Sequence, residues 1–270
     1  IDELAFGSES ALDYQKIVNL YKEKSTEMER FIKDLPDTLS YPEKSQKMWQ
    51  KFSGLHVDGN TPNHVLALAY AKASVDKDII LRAIRRSNDF HSRSLSGEIA
   101  SATAIRANID QPDSVNFVPE KLKQLLQHPR VSWENYFTLL KYKIISQDLS
   151  LSVQMNTELE SRIKTVIKKV STVDELEEAV HTKRYTRARV RRLLTYVLLD
   201  IPRDFQLPQN IHVLGFTKQG QHHLARVKDK LVTRIGKESW DLLTQKSDDI
   251  YQLGNRSFKE QNHGRKPLIL

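Results

Sequence analysis

Two short apolar runs, far apart in the chain, constrain the fold most. Leu4-Ala5-Phe6-Gly7 reads as the end of a buried strand opening into a Gly-Ser turn, and Asp78 to Ile84 reads as a second strand running into Arg85-Arg86. Between them the pattern is helical. From Leu12 to Leu35 an apolar stripe (Tyr14, Ile17, Val18, Tyr21, Met28, Phe31-Ile32) recurs at helical spacing until Pro36 stops it. Tyr41-Pro42-Glu43 starts a second helix that runs to about Trp49–Phe52. Thr61-Pro62 opens a third, with Thr61 as the natural N-cap, through Val65, Leu68 and Ala73.

A strand with a glycine turn, helices, a strand with an arginine loop, and then a hydroxyl-capped helix form the second half of a Rossmann-like unit. Its first strand and loop would lie upstream of Ile1. The chain opens there without a methionine, so it is expected to be the C-terminal part of a longer protein. After Pro112 the texture becomes helical with no convincing strand. The expected class is therefore α/β plus α. Residues 1–112 form a partial Rossmann-like domain with a helical insertion at about 12–54, and residues 113–270 form an all-helical domain.

Candidate chemistry gathers at turns and helix starts. Gly7, at a strand's carboxyl end, either lets backbone approach a nucleotide or makes a plain turn. Asn63 and His64 fall in an exposed first helical turn, suited to reading a base or ribose, or simply to facing water. Ile99-Ala-Ser-Ala-Thr-Ala-Ile-Arg106 places Ser101 and Thr103 at a helix start and Arg106 one turn on. Free amide donors, the positive helix end and a guanidinium suit a phosphate. The same residues also make an ordinary N-cap.

The net charge is +8 and the isoelectric point near 9.4, which favours a polyanion such as nucleic acid. From Lys183 to Arg192 there are six basic residues and no acid. Val190, Leu193, Leu194, Val197 and Leu198 bury one face of that helix, leaving Arg187 and Arg191 on another. A solvated face would interleave both signs, so this one reads as a nucleic-acid contact. Tyr185 either stacks on a base or packs into the core.

Other classes fall away. With no cysteine there is no disulfide, zinc–thiolate site or thiol nucleophile. No apolar run approaches the roughly 20 residues of a membrane span, and a cytoplasmic setting is expected. There is no Gly-x4-Gly-Lys-Ser/Thr loop, and His222-His223 lack carboxylates at metal-ligand spacing. What remains suits attack on the α-phosphate of a nucleoside triphosphate, with Mg²⁺ travelling on the triphosphate.

Six segments occur together and in order: Phe6-Gly7-Ser8-Glu9, Thr61-Pro62-Asn63, Arg85-Arg86 to His91, Ser101–Arg106, Thr182-Lys-Arg-Tyr-Thr186 and Leu214-Gly-Phe-Thr217. Jointly they resemble the bacterial tRNA(Met) cytidine acetate ligases of the HIGH-type nucleotidyltransferase superfamily. The resemblance implies that ATP and acetate form acetyl-adenylate, and that the acetyl group passes to N4 of the wobble cytidine of elongator tRNA(Met). It implies Gly7 and Asn63 at the adenosine, Arg85 or Arg86 at the phosphates, and Ser101, Thr103 and Arg106 as the second phosphate motif. It also implies Lys183, Arg184, Arg187 and Arg191 on the tRNA. No membrane or obligate protein partner is expected. The family's His-x-Gly-His loop is absent from these 270 residues, so they are expected to bind tRNA without necessarily adenylating acetate. A nucleotidyltransferase acting on a small metabolite and a non-catalytic tRNA-binding module are the alternatives.

Overall fold

A computed structural model describes residues 2–9, 12–55, 62–85, 92–237, 240–259 and 262–270. The chain separates into two compact units, Ile1–His128 and Pro129–Leu270. The division falls later than residue 112.

In the first unit, β1 (Glu3–Ser8) and β2 (Ile80–Arg85) pair in parallel, from Glu3 opposite Ile80 to Ser8 opposite Arg85. Parallel neighbours need a long crossover, here supplied by helices. Helix α1 (Tyr14–Asp34) starts at Asp13, whose carboxylate accepts from the Gln15 amide at 3.1 Å, and ends just before Pro36. Helix α2 (Tyr41–Ser53) opens with a capping box in which Ser40 and Glu43 satisfy each other's amides. Gly54 closes α2 at φ 68°, a left-handed turn that costs glycine no Cβ clash. Helix α3 (Pro62–Ala73) returns the chain towards the sheet. The expected stripe of α1 is buried: Tyr14, Ile17, Val18, Tyr21 and Met28 pack with Phe6, Met48, Trp49 and Leu68. Edge-to-face rings, Phe6 on Tyr14 and Tyr21 on Trp49, each at 5.1 Å, fix the packing. The expected cap Thr61 lies outside the described residues. Helix α4 (Ala102–Ala107) is only six residues long, and α5 (Glu120–Lys123) passes into a 3₁₀ turn.

The second unit is a helical cluster. A 3₁₀ turn, Trp133–Tyr136, runs into α6 (Phe137–Ser146), followed by α7 (Thr157–Val166), α8 (Val173–Val180) and α9 (Arg187–Leu199). Helix α7 ends at Val166. Asn156, Thr172 and Thr186 cap α7, α8 and α9 through their side-chain oxygens. Leu140, Ile144, Leu159, Ile163, Leu176, Val190, Leu193 and Leu194 form the core. Helix α10 (Lys218–Arg226) and α11 (Leu242–Gln252) follow.

Four two-residue strands depart from the strandless expectation. β3 (Ile211–His212) pairs with β5 (Leu231–Val232), and β4 (Gly215–Phe216) pairs with β6 (Leu268–Ile269). Each partner lies some twenty to fifty residues from its mate, so no local alternation announces it.

Leu194 is fully buried on α9. We expect Leu194→Ala to lower the unfolding free energy by about 2–5 kcal/mol, the usual range for a methylene-lined cavity, read by urea denaturation.

Candidate nucleotide and RNA sites

The first site forms where β1, β2 and α3 meet. Gly7 and Ser8 end β1 beside Ile84 and Arg85 of β2. The next residue, Glu9, turns its carboxylate onto the start of α3. It accepts from the backbone amides of Asn63 at 3.2 Å and His64 at 2.7 Å, and from the Asn63 side-chain amide at 2.6 Å. A helix start offers orphan amides and a positive dipole end, and a carboxylate satisfies both. Burial works to raise the Glu9 pKa, but the Asn63 side-chain bond and the backbone amides of Glu9, Asn63 and His64 outweigh it. Glu9 is held below the usual carboxylate range.

His64 departs from expectation, for it is buried and not exposed. Its Nδ1 lies 2.8 Å from the Tyr14 hydroxyl, which in turn lies 2.6 Å from Ser8 Oγ. The chain from strand end to α1 to α3 is therefore continuous. Desolvation lowers the His64 pKa, against a smaller upward pull from Glu9. Asn63 spends its amide on Glu9 and keeps its carbonyl oxygen unpaired among the described residues. Arg85 is exposed at the end of β2 and makes no ion pair with the described residues. Gly7, Asn63 and Arg85 are thus brought to one sheet end. Arg86 and His91 lie outside the described residues.

Ser101 is the N-cap of α4. It accepts from the Ala104 amide at 3.0 Å and donates to the Ser92 carbonyl at 2.9 Å. Its proton is committed to the preceding loop, which Asn108 also ties down through the Arg93 carbonyl at 2.7 Å. Thr103, half-buried, and Arg106, exposed, carry no hydrogen bond or ion pair to the described residues. No cluster of three potential metal ligands exists among the described residues.

The arginine helix differs from the acid-free stretch its sequence suggests. Acids reach it from neighbouring helices. Glu177 and Asp174 of α8 pair with Arg191, Glu178 and Glu177 with Arg187, and Glu158 of α7 with Arg184 at 3.4 Å. Tyr185 is core: its hydroxyl donates to Glu158 at 2.6 Å and accepts from Asn156 at 3.1 Å. Lys183 and Arg192 are exposed without an ion pair among the described residues, and Arg189 lies 5.2 Å over the Tyr185 ring.

A second basic stretch lies further along the chain. Lys218, Arg226, Lys228, Lys230, Arg234 and Lys237 stand against one acid, Asp229, and form no ion pair with the described residues. Their spacing over nearly twenty residues hides them from a search for runs. Counted by unit, residues 129–270 hold 25 Lys/Arg against 16 Asp/Glu, net +9, and residues 1–128 hold 17 against 18, net −1. All of the chain's excess positive charge is in the second unit.

A parallel strand pair whose carboxyl ends meet a helix start defines a nucleotide-binding class, and the HIGH Nucleotidyl Transferase family model matches residues 1–266. The tRNA(Met) cytidine acetate ligase of Lactococcus lactis subsp. cremoris is 54% identical over 285 residues, covering 100% of this chain and 75% of that protein. The enzyme of the same name from Streptococcus pneumoniae serotype 2 is 53% identical over 272 residues, covering 99% and 74%. Thermotoga maritima TmcAL in its apo form shares the fold, with a TM-score of 0.83 at 20% identity, covering 100% of this chain and 77% of that one. Its complex with alpha-thio ATP gives 0.81 at the same identity. This chain belongs to the HIGH nucleotidyltransferase family, in its tRNA(Met) cytidine acetate ligase branch.

The sign of the pH dependence follows from His64. Its folded pKa lies below the unfolded value of about 6.5, so its contribution is complete above that value and is lost as pH falls towards the folded one. Glu9 acts lower: its contribution holds above the unfolded carboxyl value of about 4.3 and fades as pH falls through its depressed folded value. Urea titrations at about pH 7 and about pH 5.5 should show stability falling with acid, and His64→Asn should flatten that slope.

Proposed function

We propose that the chain carries out ATP-dependent acetylation of elongator tRNA(Met). Acetate attacks the α-phosphorus of ATP, the bond to the β-phosphate breaks, and acetyl-adenylate forms with pyrophosphate as leaving group. N4 of the wobble cytidine then attacks the acyl carbon, AMP departs with the C–O electron pair, and the amine loses a proton. The observation that carries this reading is an identity of 54% across the whole chain to an enzyme named for that reaction.

At the sheet end, Gly7 leaves backbone open to the adenosine and Asn63 turns its free carbonyl oxygen to it. Arg85, with Arg86, meets the phosphates. Ser101 holds the second phosphate motif in place, while Thr103 and Arg106 reach the ligand. Such a site works by position and charge, without a nucleophile of its own. Mg²⁺ arrives on the triphosphate and needs little from the chain. The tRNA lies on the second unit. Lys183, Arg189 and Arg192 give it uncompensated charge, the strip from Lys218 to Lys237 gives more, and Arg184, Arg187 and Arg191 contribute only where phosphate displaces their carboxylates. A net +9 on a unit that a small-metabolite transferase would not need supports an RNA substrate. The setting is cytoplasmic, where tRNA and acetate meet, and among the described residues no helix is long and apolar enough to cross a membrane.

Thr103→Ala with Arg106→Ala should weaken ATP binding at least tenfold by calorimetry, and unchanged affinity would remove the phosphate assignment. Lys228→Glu with Lys230→Glu should weaken tRNA binding and flatten the log–log salt dependence by roughly 0.7–0.9 for each phosphate no longer neutralised. Arg187→Glu should cost less affinity than Arg192→Glu, because its charge is already met by α8.

A further inference from the structure

Beyond the charged surfaces, the second unit contains a half-open slot of about 320 Å³ between the Trp133–Tyr136 turn, α9 and α11. Its volume sits at the lower end of small-ligand sites, roughly 300–1,000 Å³. We propose that this slot takes one unpaired nucleobase of the bound tRNA, with Arg192 on the adjoining phosphate. The proposal rests on the RNA reading above.

The walls suit a flat ring with a polar edge. Trp133, half-buried, and Tyr251, 51% exposed, offer aromatic surface, and Leu198 and Leu199 supply an apolar side. Aromatic faces bind any base, because every base has a π-face. Two hydroxyls line the slot as well. Thr195 donates to the Arg191 carbonyl at 3.0 Å and keeps its oxygen free to accept. Ser247 has no side-chain hydrogen bond among the described residues and can donate or accept. A purely apolar partner would leave both unused.

Charge favours the same occupant. Arg192 precedes Thr195 by three residues and therefore stands on the same helical face, one turn away. It is exposed and forms no ion pair with the described residues. None of the acids next to slot residues along the chain pairs with Arg192: Glu134 accepts from the Val173 amide at 2.9 Å, Asp248 from Asn262 at 2.6 Å and Asp249 from Gln252 at 3.3 Å, while Asp200 pairs with Lys143 and Lys246. The Tyr136 hydroxyl donates to the Tyr251 carbonyl at 2.5 Å, and a Cβ on Gly254 would stand 2.5 Å from that phenol, so the turn and the end of α11 lie in close contact beside the slot.

The test uses the whole chain and an unmodified elongator tRNA(Met) transcript. Ser247→Trp fills the slot and Trp133→Ala removes its aromatic wall. Each should weaken transcript binding about tenfold, the stacking contribution of one base, with the melting temperature kept within a few degrees. Saturating transcript should quench tryptophan emission, and Trp133→Ala should abolish that quenching, which tests the slot even if Ser247→Trp fails to fold. If both folded variants bind within about twofold of the parent while Arg192→Glu still weakens binding, the slot proposal is overturned and the RNA surface stands. If none of the three weakens binding, the slot and the RNA reading of this face both fall. An apolar protein segment captured by the parent and released by Ser247→Trp, at unchanged tRNA affinity, likewise overturns it.

Discussion

Everything at the sheet end of the first unit depends on one carboxylate. Glu9 follows the last residue of β1 and occupies the amides that open α3, so strand end and helix start are joined by charge-assisted hydrogen bonds. The Ser8–Tyr14–His64 chain brings α1 into the same junction. The consequence for ligand binding is subtractive. Because Glu9 already accepts from the Asn63 and His64 amides, those donors at the start of α3 are not open to a phosphate. An ionised Glu9 also disfavours a second anion at the start of α3.

In the second unit the constraint is charge placement. Arg184, Arg187 and Arg191 are paired with acids of α7 and α8, so half of the most conspicuous basic run serves helix packing. Glu177 is almost fully buried, and Arg187 and Arg191 supply the partners without which its charge would be costly to bury. Lys183, Arg189, Arg192 and the basic residues from Lys218 to Lys237 carry positive charge with no ion pair among the described residues. Long-range attraction depends on this uncompensated remainder and not on the raw count of arginines.

Much of the architecture is legible in the sequence because its signals are local. The stripe of α1 and the prolines in the first turns of α2 and α3 are read over a single turn or two, and each corresponds to an observed element. The parallel strands are legible as apolar runs ending in a turn. The pairings of β3 with β5 and β4 with β6 are not, since two residues carry no periodicity and their partners are distant. At the site, sequence points to Gly7, Asn63 and Arg85 but misjudges what surrounds them. Glu9 looks like a turn residue and His64 like surface, because a capping contact spanning more than fifty residues leaves no local trace. The acid-free run at Lys183–Arg192 misleads for a related reason: its counter-ions come from another helix.

Asp200 shows how narrow a permitted set one position can have. It ends α9 in a left-handed conformation, φ 51°, where glycine or asparagine would be the easier residue. Yet its carboxylate accepts from Lys143 of α6 at 2.5 Å and Lys246 of α11 at 2.6 Å. Burial pushes its pKa up, but the two ammonium groups outweigh that and keep it ionised well into acid. Glycine would relax the backbone and abandon two ammonium groups, asparagine would keep the turn and lose the charge, and glutamate would keep the charge and strain the turn. Across relatives of this chain, residue choice here should drift far less than at other helix ends, and any change should arrive together with replacement of one of the two lysines.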